Sequence, residues 1–243
     1  MSKNFIECKN LSLKKNNRKL FDQFNFIFSG AYNASLIGAS GCGKTTFLKM
    51  LAKKEKFIGK IAIYKKTVFI FDEILEYSGY LQYLLNIDQI EVKEQQIFMM
   101  FLGIDNFYIE YNNLSPDLKK KVEILYKINF NPALIIFDDV FYSFSEKSKS
   151  ILFQYLKKKQ IRFLNITSNI EEVFFADYLY IMSDKGIVLE GEKNKILSEE
   201  KLLRRLGFSL PFIFDLSKQL GYYNLLSDFI ETKEELVEKL WKK

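Results

Sequence analysis

A chain of 243 residues, 48% hydrophobic and 27% charged, is long enough to bury one α/β core with a small appendage and too apolar to stay disordered. Its 36 Lys and Arg against 30 Asp and Glu give a net charge of +6, yet Lys, Asn, Ile, Phe and Tyr are abundant together and no basic stretch is interleaved with aromatics, so no nucleic-acid partner is expected. Histidine is absent and the only cysteines are Cys8 and Cys42, which removes histidine bases, ligands and switches, and any disulfide framework.

The first residues, MSKNFIECKN, carry no apolar signal segment, and the longest nearly unbroken apolar run, IFMMFLGI at 97–104, is far too short to cross a bilayer. A cytosolic protein that meets a membrane only through partners is expected. Short β-rich pieces are predicted at 5–8, 20–28, 34–38, 59–64 and 68–71, with a helix over 45–53. Residues 73–131 change character: apolar residues recur at helical spacing over 92–102 and 118–128, so this stretch reads as a helical insertion between strands. A buried strand at 134–137, a helix over 146–158, a strand at 163–167 and a hairpin of 179–182 with 186–189 follow. Strands alternating with helices predict a mostly parallel sheet. After Gly191 the pattern is helical, with turns at Gly207, Pro211 and Gly221, so 206–243 reads as a small C-terminal subdomain after a main domain over 1–205.

Residues 34–51 read ASLIGASGCGKTTFLKML, and Gly38 to Thr45 match the phosphate-binding pattern GxxxxGK[ST] at every specified position. The apolar strand before it and the helix after it are the context such a loop needs, since glycines let successive backbone N–H groups face one point and the helix start adds its dipole. Gly38, Ala39, Ser40, Gly41, Cys42, Gly43, Lys44, Thr45 and Thr46 are the expected nucleotide-binding residues. Lys44 brings a positive charge to the terminal phosphates and Thr45 a hydroxyl to Mg2+. Asp138, at the end of the LIIF strand, is the expected second Mg2+ group, and Asp139 follows it directly.

These paired carboxylates after a buried strand resemble the Walker B pair of ATP-binding-cassette (ABC) ATPases, whose second member, usually Glu, positions the attacking water. NLSPDLKKKVEIL at 113–125 resembles the LSGGQ signature and its helix; FLNITSNIEEV at 163–173 resembles the strand and turn that usually carry Thr-His-Asp; and 176–196 resembles the tail that follows. LGFSLPF at 206–212 and TKEELV at 232–237 are similar to the C-terminal subdomain of the ATPase subunits of energy-coupling-factor (ECF) transporters. The resemblance implies a P-loop ABC ATPase fold with an antiparallel β subdomain, a helical insertion and a small helical C-terminal subdomain. It implies ATP and Mg2+ as cofactors, and Lys44 and Asp139 as the catalytic pair. The partners it implies are a second ATPase subunit, a membrane scaffold and a substrate-capture membrane subunit, with the chain at the cytoplasmic face of the membrane.

Several positions depart from that pattern. Pro116 and Asp117 replace the two signature glycines and Leu118 the polar residue after them; Asp139 stands for Glu, Ser168 for the switch His, Asp72 for the Q-loop Gln, Ser145 for the D-loop Asp and Lys15 for an adenine-stacking aromatic. Asp is one methylene, about 1.5 Å, shorter than Glu, and misplacement by about 1 Å costs on the order of a hundredfold in rate. Pro116 has no N–H to offer a phosphate and Asp117 repels one, while Ser115 and Pro116 remain a sound helix start. The stretch 72–114 is also shorter than the family usually has between these motifs. The expectation is a subunit that binds Mg-ATP, hydrolyses it weakly and works in a heterodimer with a more orthodox ATPase. A non-transport nucleotide switch and a pseudo-ATPase scaffold on a soluble partner are the alternatives.

Overall fold

The computed structural model describes residues 4–15, 18–183, 186–226, 230 and 233–241. Strands β1 (Ile6–Lys15) and β2 (Arg18–Phe28) pair antiparallel, and β4 (Ile58–Ile63) closes a three-stranded sheet on the other edge of β1. Alternation drives the pairing: Phe24, Phe26 and Phe28 are buried, whereas Asn25 and Ile27 face out. β1 runs well past the expected 5–8. Its alternation is broken where the register shifts between Cys8 and Leu11 and Asn10 adopts a φ of 51°, a bulge that hides the strand's continuity from a period-two reading.

A second sheet holds six strands in the order β5-β6-β7-β3-β8-β9. Its members are β3 (Ala34–Gly38), β5 (Thr67–Ile70), β6 (Leu134–Asp138), β7 (Arg162–Thr167), β8 (Tyr178–Ser183) and β9 (Gly186–Glu192). Every pairing is parallel except β8 with β9, the expected hairpin. β3 and β6 are buried at all positions, as central parallel strands covered on both faces must be.

Helix α1 (Lys44–Leu51) sends Phe47, Leu48 and Leu51 into a core shared with the antiparallel sheet and one face of the large sheet. Between β5 and β6 lie α2 (Leu81–Leu84), α3 (Val92–Leu102) and α4 (Pro116–Ile128). With α5 (Glu146–Lys158) they cover the opposite face, where Ile135, Phe137, Phe153 and Phe163 pack together. The helix expected over 118–128 starts two residues earlier, because Ser115 Oγ accepts the Leu118 N–H at 3.3 Å and Pro116 takes the first turn.

Among the described residues α4 is fastened to the bend after β5 by buried charge. Lys120 Nζ donates to Phe71 O, to Glu73 O and, at 2.8 Å, to Glu123; Lys127 donates to Phe69 O at 2.5 Å and pairs with Glu123 at 2.8 Å. Asp72 is bracketed by the two carbonyls that Lys120 holds.

The last helices are α6 (Lys193–Ser198), α7 (Glu200–Arg205), α8 (Phe212–Tyr222) and α9 (Lys233–Trp241). Phe214 of α8 joins the main core, while Ile213 packs with Ile230, Leu236 and Phe174. Thr232 of the expected tail run, and Asp184 and Lys185 of the 176–196 run, lie outside the described residues.

Glu123→Ala strands the buried Lys120 and the half-buried Lys127 from their shared carboxylate, and loss of one partner of a buried pair costs about 3–5 kcal/mol. Urea unfolding is expected to register a loss of that order.

Candidate functional site

The loop between β3 and α1 is shaped by close approach. A Cβ on Gly38 would lie 2.4 Å from Cys42 Sγ and 2.8 Å from Met182 O, and at Gly43, where φ is 111°, it would meet Phe21 at 3.0 Å. The Cys42 N–H donates to Ala39 O at 3.2 Å and turns the chain. α1 then begins with no side-chain cap and no acidic residue in its first turn. Its leading amide groups, which have no partner within a helix, therefore point into the loop, as an anion site requires. Lys44 is 7% exposed, and its ammonium donates to Gly38 O at 2.7 Å and Ala39 O at 3.2 Å. It folds over the loop's own carbonyls, within reach of whatever the loop holds.

Asp138 ends β6 beside this helix start, and the Thr45 hydroxyl donates to Asp138 Oδ1 at 3.3 Å. A hydroxyl and a carboxylate side by side are the hard oxygen pair that Mg2+ takes. Burial pushes the Asp138 carboxyl up to about 6, helped by the charge of Asp139 and opposed by the Thr45 hydrogen bond and by Lys44 and Lys49. A cation at this point would favour the ionised form.

Asp139 turns sharply away. Its φ is 53°, a left-handed conformation that Asp tolerates better than most side chains, and its N–H donates to Ile166 O at 2.8 Å. Both carboxylate oxygens are engaged by the end of β7: Oδ1 accepts from Thr167 Oγ1 at 3.0 Å and the Ser168 N–H at 3.2 Å, and Oδ2 from Ser168 Oγ at 3.0 Å. The sequence points to Asp139 and Ser168 separately; that Ser168 spends its hydroxyl on Asp139 is a tertiary fact.

The altered signature is also turned inward. Asp117 accepts from Ser143 Oγ at 2.6 Å and pairs with Lys121 at 3.4 Å. The repulsive charge expected at this position is partly neutralised within the chain. Lys121 reaches Ser148 Oγ at 3.2 Å, and Ser145 caps α5 by accepting the Ser148 N–H at 3.2 Å. Asp72 is exposed beyond β5, and the Lys15 side chain lies outside the described residues. Sequence reasoning missed Asn165 and Glu172, buried beneath Thr167, because nothing in their spacing marks them.

No family model matches the chain. Among curated proteins it is similar to the energy-coupling factor transporter ATP-binding protein EcfA1 of Mycoplasma genitalium, 27% identical over 96% of this chain and 95% of the relative. It is also similar to EcfA of Malacoplasma penetrans, 24% identical over 98% and 93%. Among solved structures it is similar to a bacterial Atm1-family ABC exporter with ATP bound (TM-score 0.70, 15% identity, 83% of this chain and 41% of that one). It matches CbiO1 from Clostridium perfringens, part of the ABC transporter complex CbiONQ, with a TM-score of 0.65, 16% identity and coverage of 91% and 98%. The chain has the ABC ATPase fold. Among the described residues no helix is long and apolar enough to cross a membrane.

Two measurements check the site. Lys44→Ala is expected to weaken binding of a nonhydrolysable ATP analogue at least tenfold by calorimetry, since a charge-assisted phosphate contact is worth about 1.5–3 kcal/mol. The raised carboxyl of Asp138 stabilises the nucleotide-free protein fully below its ordinary 3.8, and that contribution is lost as pH rises through about 6. Thermal unfolding should therefore place Asp138→Asn progressively above the parent chain between those pH values.

Proposed function

We propose that this chain, an ABC ATPase by fold and similar over nearly all its length to ECF transporter ATP-binding subunits, is the ATP-binding subunit of an ECF-type importer. Residues 38–46 hold the triphosphate through backbone amides and Lys44, and Thr45 and Asp138 hold Mg2+, which when bound neutralises phosphate charge. The observation that carries this is the placement of Thr45 against Asp138 at an uncapped helix start behind a glycine loop.

Residues 1–205 form the ATP-binding domain, with its helical insertion at about 73–131, and 206–243 the C-terminal helical subdomain. The chain sits at the cytoplasmic face of the membrane, docked through a membrane scaffold subunit beside a subunit that captures a vitamin-type micronutrient.

Its own hydrolysis is weak. Thr167 and Ser168 fill three of the roughly four acceptor positions of Asp139 and fix its direction on the β7 turn, so re-aiming it at an attacking water displaces one of them. Displacing one hydrogen bond to a charged group costs about 1.5–3 kcal/mol, roughly a ten- to hundredfold loss of rate. The shorter reach of Asp139 adds to that loss in the same direction. A homodimer would repeat these defects in both sites, so the working unit is a heterodimer with a second, more orthodox ATPase.

The purified chain is expected to bind the analogue with Mg2+ yet turn over ATP slowly, and to co-purify with a second cassette protein and a polytopic membrane protein after mild detergent extraction. Rapid turnover by the isolated chain, abolished by Lys44→Ala, would sink the assignment of weak hydrolysis. Recovery without any membrane subunit would favour a soluble nucleotide switch instead.

A further inference from the structure

Strand β2 lies along α1 and runs past its start. Phe26 and Phe24 pack on Phe47, with ring centroids 5.1 Å apart in each case, and Phe21 packs at Gly43, where an added Cβ would meet its ring at 3.0 Å. Phe47 is one turn into the helix, whose N-cap is Gly43, so the order Phe26, Phe24, Phe21 follows α1 back toward its N-terminus. The residues before Phe21 therefore overhang the end of the helix at which its leading amides point. At about 3.3 Å per residue, Lys19 and Arg18 stand roughly 7 and 10 Å beyond Phe21.

This overhang is basic. In the β1–β2 register Lys14 is directly opposite Lys19 and Lys15 is opposite Arg18, and Lys14 and Lys19 are exposed. Like charges facing each other across two strands destabilise the pairing, so the tip is an arrangement that an anion relieves. Lys19 has an acid at hand in Asp22, at 2.5 Å, but both side chains are exposed and such a surface pair offsets little. Nor does this end of the hairpin offer a stacking face: Phe21 and Phe24, the aromatic residues of 11–25, are 1% and 5% exposed. What it presents is charge.

We propose, resting on the reading that residues 38–46 hold a triphosphate, that the tip of the β1–β2 hairpin is an electrostatic guide for that ligand. Lys14 and Lys19, with Lys15 and Arg18 beside them, draw the triphosphate toward the phosphate loop and speed its association. The screening length, about 8 Å at physiological salt, is comparable with the overhang, so the attraction reaches the loop at low salt and fades as salt rises. Lys44 and the leading amides of α1 then hold the phosphates by contact. Loss of charge at the tip thus falls on the rate of arrival and not on the rate of departure.

Stopped-flow mixing of the full chain with a fluorescent nonhydrolysable ATP analogue and Mg2+ tests this, using Lys14→Gln combined with Lys19→Gln. Removing opposed like charges should leave the nucleotide-free chain at least as resistant to heat, so the comparison is between folded proteins. Association at low salt is expected to slow roughly three- to tenfold and its salt dependence to flatten, with dissociation unchanged. The guanosine analogue should be slowed alike, since charge does not read the base. An association rate and salt slope equal to the parent's would overturn the proposal, as would a loss carried wholly by faster dissociation, the mark of a contact residue. Unchanged nucleotide kinetics together with lost binding to phosphatidylglycerol vesicles would also overturn it, and would give the tip to a lipid surface. Absence of analogue binding by the parent chain would instead sink the nucleotide assignment itself, and the guide with it.

Discussion

The parallel hydrogen-bonded register of β6, β7 and β3 is the constraint on which the site depends. Asp138 sits opposite Ile166, and Ile37 opposite Thr167, so three strands end at one level and release Asp138, Thr167 and Gly38 at the same edge of the sheet. A slip of one residue in either pairing would turn Thr167 to the other face and carry Asp138 off the edge. The apolar side chains flanking these residues are buried on both faces, and that burial fixes the register. The polar chemistry at the edge therefore rests on packing below it, and open crevices at strand ends are where such sheets place ligands.

Two adjacent carboxylates leave β6 in opposite directions. Asp138 ends the strand in extended conformation and meets Thr45, whereas the left-handed bend at Asp139 swings the next carboxylate onto β7. Family resemblance counts the methylene missing from Asp139 among several departures expected to weaken catalysis. The structure adds that both oxygens of Asp139 accept hydrogen bonds from Thr167 and Ser168. Ser168 donates both its backbone and its hydroxyl hydrogen to that carboxylate.

The 3-10 segment after β7 serves two regions at once. Its exposed Glu171 accepts the Phe212 N–H at 2.8 Å at the start of α8, and its Phe174 packs against the Ile213 cluster. Its neighbour Glu172 points inward to Asn165. The C-terminal helices are therefore anchored on the same short turn that backs Asp139. On the other flank, Lys120 ties the helix after the altered signature to the carbonyls on either side of Asp72, so that the departures from the family pattern are held by local polar contacts rather than left loose.

The sequence by itself determined the alternation of strands and helices, the phosphate loop, and Asp138 as its distant partner, because apolar periodicity and glycine spacing are local signals carried by neighbours in the chain. It also determined the bounds of α3 and α5, where the periodicity is uninterrupted. It did not reveal the length of β1, whose bulge interrupts alternation. Nor could it bring Asp139 to Thr167 and Ser168, Glu172 to Asn165, or Asp117 to Ser143. Those contacts join residues whose meeting depends on strand order and on a single left-handed bend, and neither is encoded in any window of neighbouring residues; only the tertiary structure decided them.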